Sequence, residues 1–285
     1  MTMLIGNAPC SWGITRSTGN AFSWQQYLDE VAAAGYRGTE LGPFGFLPKD
    51  PALLKAELAK RSLSLIGITH VHTFGDRASA PVLMSTLREL CPLMKELGAR
   101  HVVIMDESEW YPAGQEGVLD EAGWQGLTAT VREAQAVIET EFGLKASFHP
   151  HVGTAVELEP QIDRLLAETD IDLCFDTGHH AFWGQDPIAY MEKVWGRIAY
   201  MHLKNVDPAV RARVLNHQLS VADSYGEGVM APLPDGAVDI KAVMRFLEAK
   251  NFTGPVVVEQ DIADNAAETP LQLATRNFNY MQALA

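Results

Sequence analysis

The chain has 285 residues, 47% of them hydrophobic, enough for one large α/β domain or two smaller ones. Its 36 acidic against 22 basic residues give a net charge of −14. That balance argues against a partner held through a phosphate backbone, which needs Lys and Arg. Three cysteines (Cys10, Cys91, Cys174) make no disulfide framework, no apolar run reaches membrane-spanning length, and the N-terminus has no basic region before an apolar core. A cytoplasmic protein without membrane contact is expected.

Met3 to Cys10 is a short apolar run, read as a first strand, leading into Pro9-Cys10-Ser11-Trp12-Gly13. Ser23 caps a helix with Trp24, Tyr27, Leu28 and Val31 at helical spacing, stopped at Gly35. Thr39-Glu40-Leu41-Gly42 ends a second strand, and Asp50-Pro51 opens a helix that runs to about Ser62. Leu63 to Ile68 is a third strand, ending at Thr69-His70-Val71-His72. Leu83, Leu87, Leu90, Met94 and Leu97 mark a third helix, which Gly98 stops. His101 to Met105 is a fourth strand, closing on Asp106-Glu107-Ser108. A helix from about Trp124 to Gly143 precedes the strand Lys145-Ala146-Ser147-Phe148-His149-Pro150-His151. Glu157 to Glu168 is helical, and the apolar run Leu173-Cys174-Phe175 then ends in Asp176-Thr177-Gly178-His179-His180. Asp186-Pro187 opens a helix with Ile188, Met191, Val194, Trp195 and Ile198 inward. The strand Ala199-Tyr200-Met201-His202-Leu203-Lys204 follows it. Asp239 to Lys250 is helical, Pro255-Val256-Val257-Val258-Glu259-Gln260-Asp261 is the last strand, and Thr269-Pro270 opens the final helix.

Eight strand–helix alternations with no composition break match a single (β/α)8 barrel over residues 1–285. An open doubly wound sheet is the alternative. It would need a Gly-rich phosphate loop where Asn7-Ala8-Pro9-Cys10 stands. The connection from His202 to Glu259 is roughly twice an ordinary βα unit. Its Gly226-Glu227-Gly228 and Pro232-Leu233-Pro234-Asp235-Gly236 read as hinge and turn, so about 207–238 is expected to form a lid. A plain surface excursion is the other reading.

Apolar strands of this kind are buried on both faces, and polar groups at their C-terminal ends sit at the mouth of the barrel. Four strands end in this way, delivering His149, Asp176, His202 and Glu259. A divalent cation reconciles imidazoles and carboxylates in one place. A mixed N/O set fits Mn²⁺, Co²⁺, Fe²⁺ or Zn²⁺ and disfavours Mg²⁺. Each residue alone has an ordinary reading. A strand-end histidine is usually a hydrogen-bonded rim residue, and an Asp before Thr-Gly is usually a turn or helix cap. Glu259 follows three valines and needs a partner, for which Lys204 competes with a metal. Repetition over strands five to eight favours the metal.

Asp176-Thr177-Gly178-His179, His202-Leu203-Lys204 and Val257-Val258-Glu259 resemble the xylose-isomerase-like sugar isomerase and epimerase barrels, distant relatives of endonuclease IV. The closer resemblance is to the inosose dehydratase (2-keto-myo-inositol dehydratase) group. It rests on Ala8-Pro9 with Trp12, Gly38-Thr39-Glu40, His149-Pro150-His151-Val152-Gly153-Thr154, Leu219-Ser220, Pro234-Asp235-Gly236-Ala237-Val238-Asp239 and Val258-Glu259-Gln260-Asp261. The resemblance implies a metal held by Asp176, His202 and Glu259, with His149 standing where many relatives have Glu, either as a ligand or as a lining residue. An imidazole there would leave the metal a stronger Lewis acid. His179 could bind substrate or act as acid or base, His151 shares a strand face with His149, and Lys204 could stabilise an enolate or bind a hydroxyl. Glu40, His70 and His72 could contact sugar hydroxyls, and Trp12 could stack on a ring.

The resemblance implies a metal-dependent hydro-lyase of inositol or other carbohydrate catabolism. It would dehydrate a cyclic polyhydroxy ketone through an enolate, with Mn²⁺ or Co²⁺ first among the metals and Zn²⁺ or Fe²⁺ also accommodated. The alternative is a sugar isomerase or epimerase working through the same enolate. A nuclease is disfavoured by the acidic charge, and a non-catalytic sugar-binding barrel would turn nothing over. The partner is a small polyol or sugar ketone, with a homo-oligomer allowed.

Overall fold

The computed structural model describes residues 3–106, 119–264 and 266–284. Among them, eight parallel strands close into a barrel: β1 (Ile5–Asn7), β2 (Gly38–Glu40), β3 (Ser64–His72), β4 (His101–Asp106), β5 (Lys145–Phe148), β6 (Asp172–Asp176), β7 (Ile198–Leu203) and, closing against β1, β10 (Val256–Val258). Two short strands, β8 (Asn205–Val206) and β9 (Met230–Ala231), form a separate antiparallel pair. Glu107 and Ser108, expected to close the fourth strand, lie outside the described residues.

The outer layer holds α1 (Trp24–Ala34), α2 (Pro51–Lys60), α3 (Ala80–Glu96), α4 (Glu121–Gln135), α5 (Glu159–Glu168), α6 (Thr177–Phe182), α7 (Pro187–Val194), α8 (Pro208–Leu215), α9 (Val221–Gly226), α10 (Ile240–Ala249) and α11 (Pro270–Leu284). The start signals act as expected. The side chains of Ser23, Asp50 and Asp186 each accept a backbone N–H of the first turn, and Gly35 closes α1 at a φ of 108°. Three boundaries shift for local reasons. β1 stops at Asn7, because Pro9 has no amide donor and starts a 3-10 turn over Pro9–Trp12. α4 runs on into a π-helical segment over Ala136–Glu141. Ile198, expected on a helix, opens β7 after a 3-10 turn over Trp195–Arg197.

The connection after β7 holds α8, α9 and β9. Buried Asn205 staples it to the barrel. Its Nδ2 donates to the carbonyls of Leu233 (2.8 Å) and Val238 (3.0 Å), and its Oδ1 accepts the amides of Val206 (2.9 Å) and Val238 (2.8 Å). A large apolar layer fills the space between strands and helices, and a smaller cluster of Ala8, Ile66, Val103, Cys174, Tyr200 and Val257 fills the barrel itself. That inner cluster is the floor on which the site rests.

Candidate metal centre

Along a strand, alternate side chains point the same way. Cys174 on β6, Tyr200 on β7 and Val257 on β10 belong to the inner core. Two residues further along each chain come Asp176, His202 and Glu259. Two further again come Gly178, Lys204 and Asp261. The barrel thus builds upward from an apolar layer to a ligand layer to a charged layer. β5 contributes His149 and then His151, just past Phe148.

His149, Asp176, His202 and Glu259 are buried, and each offers a ligand atom within 4.8 Å of the other three. Among the described residues, Asp176 Oδ2, His202 Nδ1 and His149 Nδ1 have no hydrogen-bond partner, although buried polar atoms nearly always find one. Bare ligand atoms converging in a buried spot, in a set of two imidazoles and two carboxylates, fit a divalent ion. Asp176 is both cap and candidate ligand. Its Oδ1 accepts the amides of Gly178 (2.7 Å) and His179 (2.8 Å), which starts α6 and leaves Oδ2 facing the cluster.

His202 is held from the far side of the barrel. Its Nε2 donates to Glu40 Oε1 at 3.0 Å, so Nδ1 is the atom turned toward Glu259 Oε2 (3.5 Å) and Asp176 Oδ2 (3.9 Å). Glu40 also accepts from Tyr200 Oη at 2.8 Å and from Thr69 Oγ1 at 3.0 Å. A carboxylate behind a ligating imidazole fixes ring orientation and tautomer.

Lys204 is buried among the same groups. Its Nζ lies 2.9 Å from Asp261 Oδ2, 3.0 Å from Glu259 Oε2, 3.0 Å from His179 Nε2 and 3.9 Å from Asp176 Oδ2. Glu259 therefore serves both the metal cluster and Lys204. The Asp-Thr-Gly-His run is shaped around this lysine. Thr177 Oγ1 donates to the Lys204 carbonyl at 2.7 Å, and a Cβ on Gly178 would stand 2.7 Å from the Lys204 stem.

Charge follows from these contacts. Burial lifts the Asp176 carboxyl to about 6, with Lys204 and His202 partly opposing. Burial also works against Glu259, yet His202 and Lys204 outweigh it and bring its pKa down to about 2. His202 is pushed well up, because Cys174, Glu259 and Glu40 together overcome its burial. His149 is pushed well down by burial and by His202. Lys204 stays protonated, since Asp261, Glu259 and Asp176 overcome its burial.

A cavity of about 700 Å³ opens onto the cluster, lined by Cys10, Glu40, His70, His149, His151, Lys204, Glu259 and Asp261 among others, with Arg16, Phe44 and Lys49 also in its wall. His151 lies on this wall with its Nδ1 on the Val152 carbonyl at 2.8 Å, which leaves Nε2 as the nitrogen with the lone pair; burial and Lys204 lower its pKa to about 4. His179 packs against His151, with ring centroids 3.8 Å apart, and borders Lys204 rather than the cavity. His70 is on the wall, whereas His72 turns to Ser79, its Nε2 3.0 Å from the Ser79 hydroxyl. Trp12 is not there to stack on a ring. Its indole is buried edge-on to Tyr27 and donates to Glu30 Oε2 at 2.7 Å, facing α1.

Asp261 carries the lysine contact that sequence reasoning did not assign. Continuing the period of two from Glu259 would have found it. Tyr225 on α9 was invisible to any motif. Its hydroxyl is buried without a partner among the described residues, and burial and then Asp261 push its pKa up, which brings the long connection to the edge of the site.

Comparison with known proteins agrees with this geometry. Residues 28–282 match the family model described as xylose isomerase-like TIM barrel. The chain is 29% identical over 293 residues to an inosose dehydratase of Geobacillus kaustophilus (strain HTA426), covering 98% of this chain and 94% of that protein. It is 31% identical over 299 residues to the rhizopine catabolism protein MocC of Rhizobium meliloti, covering 100% and 89%. The solved structure of IOLI protein with a bound zinc atom superposes with a TM-score of 0.74 at 15% identity, covering 99% of this chain and 98% of that one. With a closed eight-stranded parallel barrel and a match across most of its length, the chain belongs to the xylose isomerase-like TIM barrel family.

Proposed function

We propose that the protein is a metal-dependent hydro-lyase that removes water from a cyclic polyhydroxy ketone of the inosose type. The observation that carries the reading is the cluster of His149, Asp176, His202 and Glu259, with bare ligand atoms, at the foot of a cavity that also holds an imidazole and an ammonium group. The similarity to inosose dehydratases supports the substrate class. A divalent ion in this cluster, Mn²⁺ or Co²⁺ first, would supply Lewis acidity toward the ketone oxygen and a neighbouring hydroxyl.

The chain's own groups do the rest. His151 carries its proton on Nδ1, against the Val152 carbonyl, so Nε2 offers the lone pair. With its pKa lowered to about 4 the ring is neutral near pH 7 and takes the proton α to the ketone. Lys204 gives a fixed positive charge to the oxygen on which negative charge develops. The proton on His151 then goes to the departing β-hydroxyl, and one water is lost for each proton removed from carbon. Glu40 and His179 touch His202 and Lys204 and keep those side chains in place.

A second reading is sugar isomerisation or epimerisation. His70 favours it, because a second imidazole on the cavity wall could return the proton to carbon. Incubating the Mn²⁺-loaded protein with a panel of inososes and ketoses separates the two by product mass. Loss of one water supports the dehydratase, an unchanged mass with altered stereochemistry supports the isomerase, and no turnover by fully loaded protein rejects both.

A further inference from the structure

The Lys204 ammonium sits in a cradle whose walls are metal-ligand types: a histidine nitrogen at 3.0 Å and carboxylate oxygens of Glu259 and Asp261 at 3.0 and 2.9 Å. Asp176 Oδ2 completes the surround at 3.9 Å. Among these donors, Asp176 and Glu259 also belong to the cluster of His149, Asp176, His202 and Glu259. The two groupings therefore share two carboxylates, as neighbouring cation sites do when carboxylates bridge them.

We propose that Lys204 is a resident second cation: its ammonium holds the place of a second divalent ion and keeps the centre to one metal. The inference rests on the metal reading given above. Local structure supports it. Gly178 leaves room for the lysine stem, since a Cβ there would meet Lys204 Cβ and Cγ at 2.7 Å. Thr177 Oγ1 accepts the Lys204 amide at 3.1 Å and donates to its carbonyl at 2.7 Å. His179 turns Nε2, an acceptor, toward the ammonium. Three consecutive residues after Asp176 thus serve the position of one ammonium group, more than a surface ion pair requires.

With the ammonium removed, His179 Nε2, Glu259 Oε2 and Asp261 Oδ2 still converge on one point. Each needs to move in by less than about 1 Å to reach metal–ligand distances of about 2.0–2.2 Å. The test is the metal stoichiometry of purified protein titrated with Mn²⁺, read by elemental analysis and by the electron paramagnetic resonance spectrum. Wild type should bind one equivalent with a mononuclear spectrum. Lys204→Met should bind two, with an exchange-coupled spectrum, and adding Asp261→Asn should return it to one. Zero equivalents in the wild type overturns the metal reading itself. Two in the wild type, one in Lys204→Met, or two persisting with Asp261→Asn overturns the resident-cation inference alone. Lys204→Ala is run in parallel under the same expectations. If neither variant folds, the wild-type count decides, and a second tightly bound equivalent refutes the inference.

Discussion

Glu40 and His202 are 162 positions apart, yet one hydrogen bond of 3.0 Å between them selects the ring nitrogen that faces the cluster. Glu40→Gln should therefore lower metal affinity by about 10- to 100-fold while leaving the fold intact. Calorimetric titration alongside an unchanged near-ultraviolet spectrum checks it, and wild-type affinity in the variant would make Glu40 a cavity residue only. His149→Ala beside Asp176→Ala asks the matching question of β5: full metal content in the first and almost none in the second would remove His149 from the ligand set. Acidity gives a third expectation. Asp176 must be ionised to bind a cation, and burial holds its pKa at about 6, so affinity should fall as pH drops through 6. His202, raised by its neighbours, must also give up a proton, and this acts in the same direction. Mn²⁺ titrations from about pH 5 to about pH 8 check the sign; a flat profile contradicts it. At this scale the convergence of Asp176, His202 and Glu259 on one mouth was legible, because it follows from where their strands end. It was opaque where a partner comes across the barrel, as with Glu40 behind His202. Trp12 misled because an aromatic beside a strand end looks the same whether it faces a ligand or, as here, Glu30 on α1.

The elements themselves were legible because their punctuation is local. Ser23, Asp50 and Asp186 announce helices by chemistry that acts within one turn, and the valine run of β10 announces a buried strand. Short α6 was harder to see, since it is set by Asp176, a residue whose other oxygen belongs to the site. The long connection after β7 read as a hinged segment, but what anchors it is a side chain in a two-residue strand. Asn205→Ala removes four buried hydrogen bonds and leaves the Leu233 and Val238 carbonyls without that partner. A loss of about 2–4 kcal/mol in unfolding free energy is expected. Limited proteolysis should then cut first within residues 207–238. Cleavage spread evenly along the chain would mean that the connection is held by something else.

The barrel as a whole concentrates buried charge at one end, and that has a cost which a bound cation offsets. Saturating Mn²⁺ should raise the unfolding temperature, with a gain of about 4 kcal/mol at a thousandfold excess over the dissociation constant. Differential scanning calorimetry with and without chelator checks this, and an unchanged transition would mean that the cluster takes no ion. The closed parallel architecture was legible from eight alternations, because a buried strand needs a covering helix and the pattern repeats without a break. The way the barrel interior joins the site was not. Gly67 on β3 has no side chain because Tyr200 reaches over it: a Cβ there would lie 2.5 Å from the phenol oxygen, which in turn holds Glu40. The inner core is thus a lever whose short arm ends at the candidate metal cluster. Adding one methyl at Gly67 would displace the phenol, loosen Glu40 and let the His202 ring turn, so a substitution in the apolar interior would register first as altered metal selectivity in a protein that still folds.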